Sequence, residues 1–275
     1  MNLPQRVTIE LTNKCNRRCD MCPRLKMTYP LGDMNLLLLK KIVDQLPSST
    51  DIVPFFRGES VLYSDFVEAM KLLRRFDTLQ IATNGDGLTQ EKRSAILDTK
   101  SFISYSLHDF GYPLEFLDIA RFLRSASENG HVTQVSILNT MFSHYKKEFF
   151  IDSWLEYVDR VRIYIEHSIK GFGDIDPVYR KIRETKSCRK VFEDMVIYWD
   201  GKVVLCNHDW DNYDPLGDLN YQTIEEVWNG EKYQEIRDIH KSGNIREVKS
   251  CKDCDHWMVD YLPEKMLGEL YVRDE

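Results

Sequence analysis

Up to Ile165, short apolar runs alternate with longer amphipathic ones. That rhythm is the pattern of βα units feeding a parallel sheet. It predicts strands over 7–12, 51–56, 78–83, 102–106, 133–138 and 160–165, and helices over 35–46, 65–76, 89–98, 114–129 and 146–157. Asp65 and Thr89 are suited to cap helix N-termini, and Pro47 and Gly130 fall where helices should stop. Six such units predict an α/β fold, a partial (β/α)6 TIM-type barrel, whose functional residues gather at the C-terminal ends of the strands.

After Ile169 the rhythm changes. Gly171, Gly173 and Pro177 mark a boundary, dividing the chain into a core over 1–169 and a second domain over 170–275. There a β-hairpin is predicted, with strands over 195–198 and 202–205 flanking the turn pair Asp200-Gly201. Thr223-Ile-Glu-Glu226 spells a capping box at the start of a helix, and a further helical stretch covers 233–240.

At 275 residues the chain can bury a sizeable core. Its net charge of −7 argues against a broad nucleic-acid footprint, which needs a clustered basic face. No apolar run approaches the ~20 residues of a membrane span, and residues 1–6 do not resemble a signal peptide. A cytoplasmic protein with no membrane partner is therefore expected. In that reducing setting its seven cysteines point to metal or redox chemistry rather than disulfides.

Cys15, Cys19 and Cys22 directly follow the first predicted strand. Three thiolates this close can hold three irons of a [4Fe–4S] cube and leave the fourth open, and an open metal position is a reactive one. A zinc site or a redox dithiol are the alternatives, although zinc usually pairs two CxxC knuckles and a dithiol needs two cysteines. Around the triple, Phe56-Arg-Gly58-Glu59-Ser60 ends the second strand, Thr83-Asn84-Gly85 the third, Ser106 the fourth and Asn139 the fifth. Taken alone, Asn84-Gly85 reads as an ordinary turn.

This ordered set resembles the radical S-adenosylmethionine (SAM) superfamily, over residue 7 to about 165. The resemblance implies that the open iron of the Cys15/Cys19/Cys22 cluster holds SAM. It further implies that Gly58 and Glu59 receive the SAM amino group, that the Met21 backbone meets the adenine, and that Asn84, Ser106 and Asn139 are further cofactor contacts. Arg57 and Ser60 depart from the family's Gly-Gly-Glu-Pro pattern, so only Gly58 and Glu59 carry over. Cys188, Cys206, Cys251 and Cys254, with Gly217-Asp-Leu219 and Ile224-Glu-Glu-Val-Trp228, resemble the family's auxiliary-cluster domain, in its short "twitch" form rather than the longer SPASM form. The cysteines then divide into three and four with none spare, and a second [4Fe–4S] cluster closed by four thiolates is left with electron transfer. A structural zinc site is the alternative there. His208 and His256, beside ligand cysteines, read as solvent or packing histidines.

The chemistry implied is reduction by a flavodoxin or ferredoxin, formation of a 5′-deoxyadenosyl radical, and hydrogen abstraction from substrate. With the second cluster as electron acceptor, an alcohol on a small polar molecule becomes a ketone. Along 160–166, alternation puts Arg162, Tyr164 and Glu166 on the lumen side, where they are candidates to orient the substrate or take its proton. An internal ion pair filling the barrel is the alternative. The same rule points Glu10, Ser104, Ser106 and His108 inward. Two other functions fit the motifs less fully: a maturase acting on a ribosomal peptide, and a non-catalytic cluster or zinc scaffold, which leaves Gly58-Glu59 and Asn84-Gly85 without a role. Lumen and loop side chains set specificity and follow no general code.

Overall fold

The structure, a computed structural model, describes residues 3–107, 113–143, 146–165, 187–211, 214–257, 261 and 268–274. Strands β1 (Arg6–Ile9), β2 (Asp51–Val53), β3 (Thr78–Thr83), β4 (Ser101–Ser106), β5 (Val132–Leu138) and β6 (Arg160–Tyr164) pair in chain order and all run parallel. Between them lie helices α1 (Leu36–Val43), α2 (Phe66–Leu73), α3 (Gln90–Leu97), α4 (Pro113–Glu128) and α5 (Lys147–Leu155). The expected βα rhythm is thus present, as an α/β fold built on a large, mainly parallel sheet. Among the described residues, no helix is long and apolar enough to cross a membrane.

Strand alternation sorts the sheet into two faces. Val7, Ile9, Ile52, Leu79, Ile81, Ile103, Val135, Ile137, Val161 and Ile163 are buried on one face, in one core with Leu39 and Ile42 of α1 and Phe66, Met70 and Leu73 of α2. The other face is polar. Register places Arg6 and Thr8 beside Asp51 and Val53, and carries Gln80, Ser104, Gln134 and Ser136 across to Arg162.

Several details differ from the sequence reading. β2 stops at Val53 because Pro54 has no N–H to continue the ladder. Asp65 precedes α2 with φ −96° and ψ 28°, outside the extended geometry of a capping residue, and its side chain makes no cap bond. Thr89 does cap α3, accepting from the Lys92 N–H.

The second part is α6 (Lys190–Glu193), β7 (Asp194–Ile197), β8 (Lys202–Val204), β9 (Gly217–Asp218), α7 (Ile224–Trp228), α8 (Glu231–Lys241) and β10 (Gly268–Val272). The expected hairpin is present, with Gly201 at φ +90° in the turn. It does not form a separate sheet: β7 lies parallel beside β1. At the far edge β10, which the sequence pattern did not signal, pairs antiparallel with β6. The described strands form one ten-stranded sheet, in the order β10-β6-β5-β4-β3-β2-β1-β7-β8-β9. The proposed boundary at 169/170 lies outside the described residues.

Candidate active site

The cysteine loop leaves β1 and is pinned at both ends. Thr12 Oγ1 donates to Asp33 (2.6 Å), Asn13 Nδ2 donates to the Pro30 carbonyl (2.8 Å), and Asn13 Oδ1 accepts from the Gly32 N–H (2.8 Å). Its middle is clamped by Asp86 after β3. Arg17 donates to both carboxylate oxygens at 2.7 and 2.8 Å, and Asn16 donates to one at 2.7 Å. Gly58 is required by close approach, since a Cβ there would stand 2.6 Å from the Lys14 carbonyl oxygen. The same contact lets the Glu59 N–H bond that carbonyl at 2.8 Å.

Glu59 is buried. One of its oxygens accepts from the Asn84 N–H (2.7 Å) and the other from the Val61 N–H (3.4 Å). Burial raises its pKa, and these bonds together with the Thr83 hydroxyl work against the rise. Asn84 Nδ2 reaches Asn16 Oδ1 (3.1 Å) and the Cys15 sulfur (4.0 Å). The ends of β2 and β3 are thereby tied to the cysteine loop through groups that each sequence motif supplies.

A cavity of about 590 Å³ opens on the polar face of the sheet. Cys15, Cys19, Cys22, Met21, Gly58, Glu59, Asn84 and Ser106 all line it, as the sequence grouped them. Asn139, exposed in the 3₁₀ turn after β5, does not. Arg162 and Tyr164 share the polar face, with the guanidinium 5.3 Å from the ring centroid, but stand outside the described lining. Glu166 and His108 lie outside the described residues.

Sequence reasoning missed Arg6, Asp51, Gln80, Lys190 and Asp194. Asp51 accepts from Arg6 (2.6 Å) and Gln80 (2.8 Å). Except for Asp51, these residues line the cavity. The alternation that marked Glu10 and Ser104 would have found the first three had it been followed back along β1 and applied to β2 and β3. Nothing local signals that β7 joins β1 and brings in Asp194 and Lys190. Arg57 was also missed: it forms a fully buried pair with Glu10 through bonds of 2.7 Å from Nε and from Nη2, and donates to the Trp210 carbonyl at 2.6 Å.

All seven cysteines are free thiols of intermediate burial. Burial raises the pKa of Cys15 and Cys19, and pushes Cys206 up to about 12. Burial thus favours the protonated form of these three thiols in the metal-free chain, and metal binding must displace those protons. Cys188 and Cys254 lie within electrostatic reach of Cys206. The Cys188 N–H donates to His240 Nδ1 at 3.4 Å, and the Cys254 N–H to the Cys251 carbonyl at 3.1 Å. Sulfurs around one tetrahedral zinc stand ~3.8 Å apart, and no three cysteine, histidine or carboxylate groups among the described residues converge to hold a single ion. His208 and His256 stack on each other with centroids 3.6 Å apart, a packing arrangement.

Residues 188–255, which contain all four later cysteines, match the SPASM iron–sulfur cluster-binding domain. Along 91% of this chain and 92% of its own length, the S-adenosyl-L-methionine-dependent 2-deoxy-scyllo-inosamine dehydrogenase of Niallia circulans is 23% identical. The crystal structure of BtrN in complex with AdoMet and 2-DOIA superposes with a TM-score of 0.65 at 20% identity, covering 93% of this chain and 94% of that one. That of Streptococcus suis SuiB bound to the precursor peptide SuiA gives 0.66 at 14% identity, covering 100% of this chain and 76% of that one. Fold, cysteine sets and matches agree on one likeness: the chain is similar to radical SAM enzymes that carry a SPASM-type iron–sulfur domain.

Proposed function

We propose that this enzyme removes two electrons from an alcohol on a small polar molecule, with the C-terminal cysteines holding the electron acceptor. One observation carries the reading. Cys15, Cys19 and Cys22 line the same cavity as Lys190, Asn207 and His208, the last two directly following Cys206. When bound, SAM and its [4Fe–4S] cluster supply one-electron cleavage to a 5′-deoxyadenosyl radical that takes hydrogen from the substrate.

The chain's own residues fit these groups. The thiols of Cys15, Cys19 and Cys22 lie near one another and near the cations Arg17 and Arg24, which offset the anionic charge of a thiolate cluster. Gly58, Glu59 and Asn84 are assigned to the amino-acid end of SAM, Met21 and Ser106 to its nucleoside, and Asn139 to an outer position. Phe55, Phe56 and Trp210 supply apolar walls that exclude water. Arg162, Tyr164 and Glu166 are assigned to orient the substrate and accept its proton. Arg6, Gln80 and Asp194 offer donors and acceptors to a molecule dense in hydroxyl or amino groups. The substrate named for the full-length relative, 2-deoxy-scyllo-inosamine, is of that kind.

This reading includes a partial (β/α)6 barrel over 1–169, a twitch-like domain over 170–275 with Cys188, Cys206, Cys251 and Cys254 on the second [4Fe–4S] cluster, a flavodoxin or ferredoxin donor, and a cytoplasmic setting. A peptide-modifying role is the second reading, favoured by the likeness to SuiB bound to its precursor peptide. Anaerobic protein given dithionite, SAM and a panel of polyols and aminopolyols should yield 5′-deoxyadenosine and an equal amount of ketone. Modification of peptides alone would transfer the case to the second reading. No 5′-deoxyadenosine from fully iron-loaded protein would overturn both.

A further inference from the structure

Helix α8 turns an unusual face toward the segments that carry Cys188 and Cys206. Tyr233, Arg237 and His240 sit at i, i+4 and i+7, on one side of the helix, and are 0%, 5% and 1% exposed. Among the described residues, each keeps a buried polar atom with no hydrogen-bond partner: Tyr233 Oη, Arg237 Nη2 and His240 Nε2. Trp228 Nε1, on the adjacent α7, is a fourth. These groups are packed together, with the Arg237 guanidinium 4.1 Å from the Trp228 ring centroid and 4.8 Å from that of Tyr233.

The four on α7 and α8 are all donors. Indole and guanidinium nitrogens can only donate, and a neutral tyrosine hydroxyl can donate. His240 Nδ1 accepts from the Cys188 N–H at 3.4 Å, so a neutral ring carries its proton on Nε2. Among the described residues Arg237 has no carboxylate partner; its Nε and Nη1 are used on the carbonyls of Val191 (3.0 Å) and Trp228 (2.8 Å). A buried cation and several buried donors without acceptors are costly together, and a native protein keeps such a set where something absent from the bare chain accepts from it. The cysteines place that acceptor. His240 bonds the Cys188 backbone, Arg237 bonds the helix that follows Cys188, and the Tyr233 hydroxyl is within electrostatic reach of Cys206.

We infer that Tyr233, Arg237 and His240 form a donor face that balances the charge of the auxiliary iron–sulfur cluster and raises its reduction potential. Bonds to cluster and thiolate sulfur set such potentials, along with net charge and exposure. Under the proposed function, on which this inference rests, the face makes the second cluster a better electron acceptor than four buried thiolates alone would.

Tyr233→Phe removes one donor and keeps the ring. In reconstituted enzyme, a redox titration followed by electron paramagnetic resonance should show the auxiliary potential falling by a tenfold change in the one-electron equilibrium, about 59 mV. The SAM-binding cluster is the internal control and should not move. The metal-free variant should melt no lower than wild type, because the hydroxyl has no partner there among the described residues. Arg237→Met should lose roughly half of about eight irons, and Arg237→Lys should restore them. An unchanged auxiliary potential in Tyr233→Phe with both clusters present would overturn the inference, as would full iron retention by Arg237→Met. Wild-type enzyme holding only about four irons would instead overturn the proposed function beneath it.

Discussion

Glu10 and Arg57 show what a buried charge demands of its surroundings. Both side chains are 0% exposed, and burial alone would lower the arginine's pKa, but the bonds to Glu10 and its charge raise it instead. Tyr198 lies over the guanidinium, 3.5 Å from its ring centroid, and Glu10 also accepts from the Trp199 N–H at 3.3 Å. Removing one partner strands the other, so Glu10→Gln should destabilise the protein by about 3–5 kcal/mol in urea titrations. The paired replacement Glu10→Leu with Arg57→Met should recover much of that loss. Glu59 offers a separate test. Glu59→Ala should weaken SAM binding in calorimetry while iron content holds, and an unchanged affinity would remove Glu59 from the cofactor site. At this scale the sequence was readable where a residue belongs to a strand or a motif. Glu10 followed from alternation, and Gly58 and Asn84 from the resemblance of their motifs to those of the radical SAM superfamily. Arg57 did not, because an arginine just past a strand reads as a surface residue until Tyr29, Tyr198 and Trp210 close over it.

The elements are held by devices of known size. Thr223 accepts from the Glu226 N–H at 3.1 Å while the Glu226 carboxylate accepts from the Thr223 N–H at 2.7 Å, completing the capping box that the sequence spelled. Thr223→Ala should cost about 1 kcal/mol, measured as a lower unfolding midpoint. Asp159 joins three elements. It accepts from Ser127 of α4 (2.6 Å), from the Thr133 N–H of β5 (2.7 Å) and from Arg273 beyond β10 (2.7 Å). Burial acts to raise its pKa, but those bonds and the Arg273 charge outweigh it and hold the value below the ordinary one. The stabilisation is therefore complete above the unfolded value of about 3.9 and is lost as pH falls through the lower folded value. Asp159→Asn should erase that acid dependence and cost about 1–2 kcal/mol at neutral pH. Helix and strand identities were legible from periodicity, whereas their ends were set by Pro54 and by backbone geometry at Asp65. β9 and β10 were not legible: one is two residues long, and the other depends on a partner strand far away in the chain.

At the scale of the molecule, the pairing of β7 with β1 decides the architecture. It makes the auxiliary segment an extension of the core sheet and brings Asn207 and His208, next to Cys206, into the cavity lined by Cys15, Cys19 and Cys22. Trp154 and Trp228 are buried in the two parts, so unfolding followed at each by fluorescence should give coincident transitions. A Cys188→Ala/Cys206→Ala pair should lose about half of roughly eight irons, and zinc in their place would reject the electron-acceptor scheme. The sequence showed the division into three and four cysteines and the change of rhythm near Ile169. It did not show that the halves share a sheet, because a parallel crossover that spans most of the chain leaves no local trace.

The C-terminal strand has a practical consequence. β10 covers the hydrogen-bonding rim of β6 through pairs running from Gly268 with Tyr164 to Val272 with Arg160. Without it, β6 would present a ready template for a neighbouring molecule. Clipping the chain ahead of Gly268 should therefore turn a monodisperse preparation into self-associating material, and affinity tags are better placed at the other terminus.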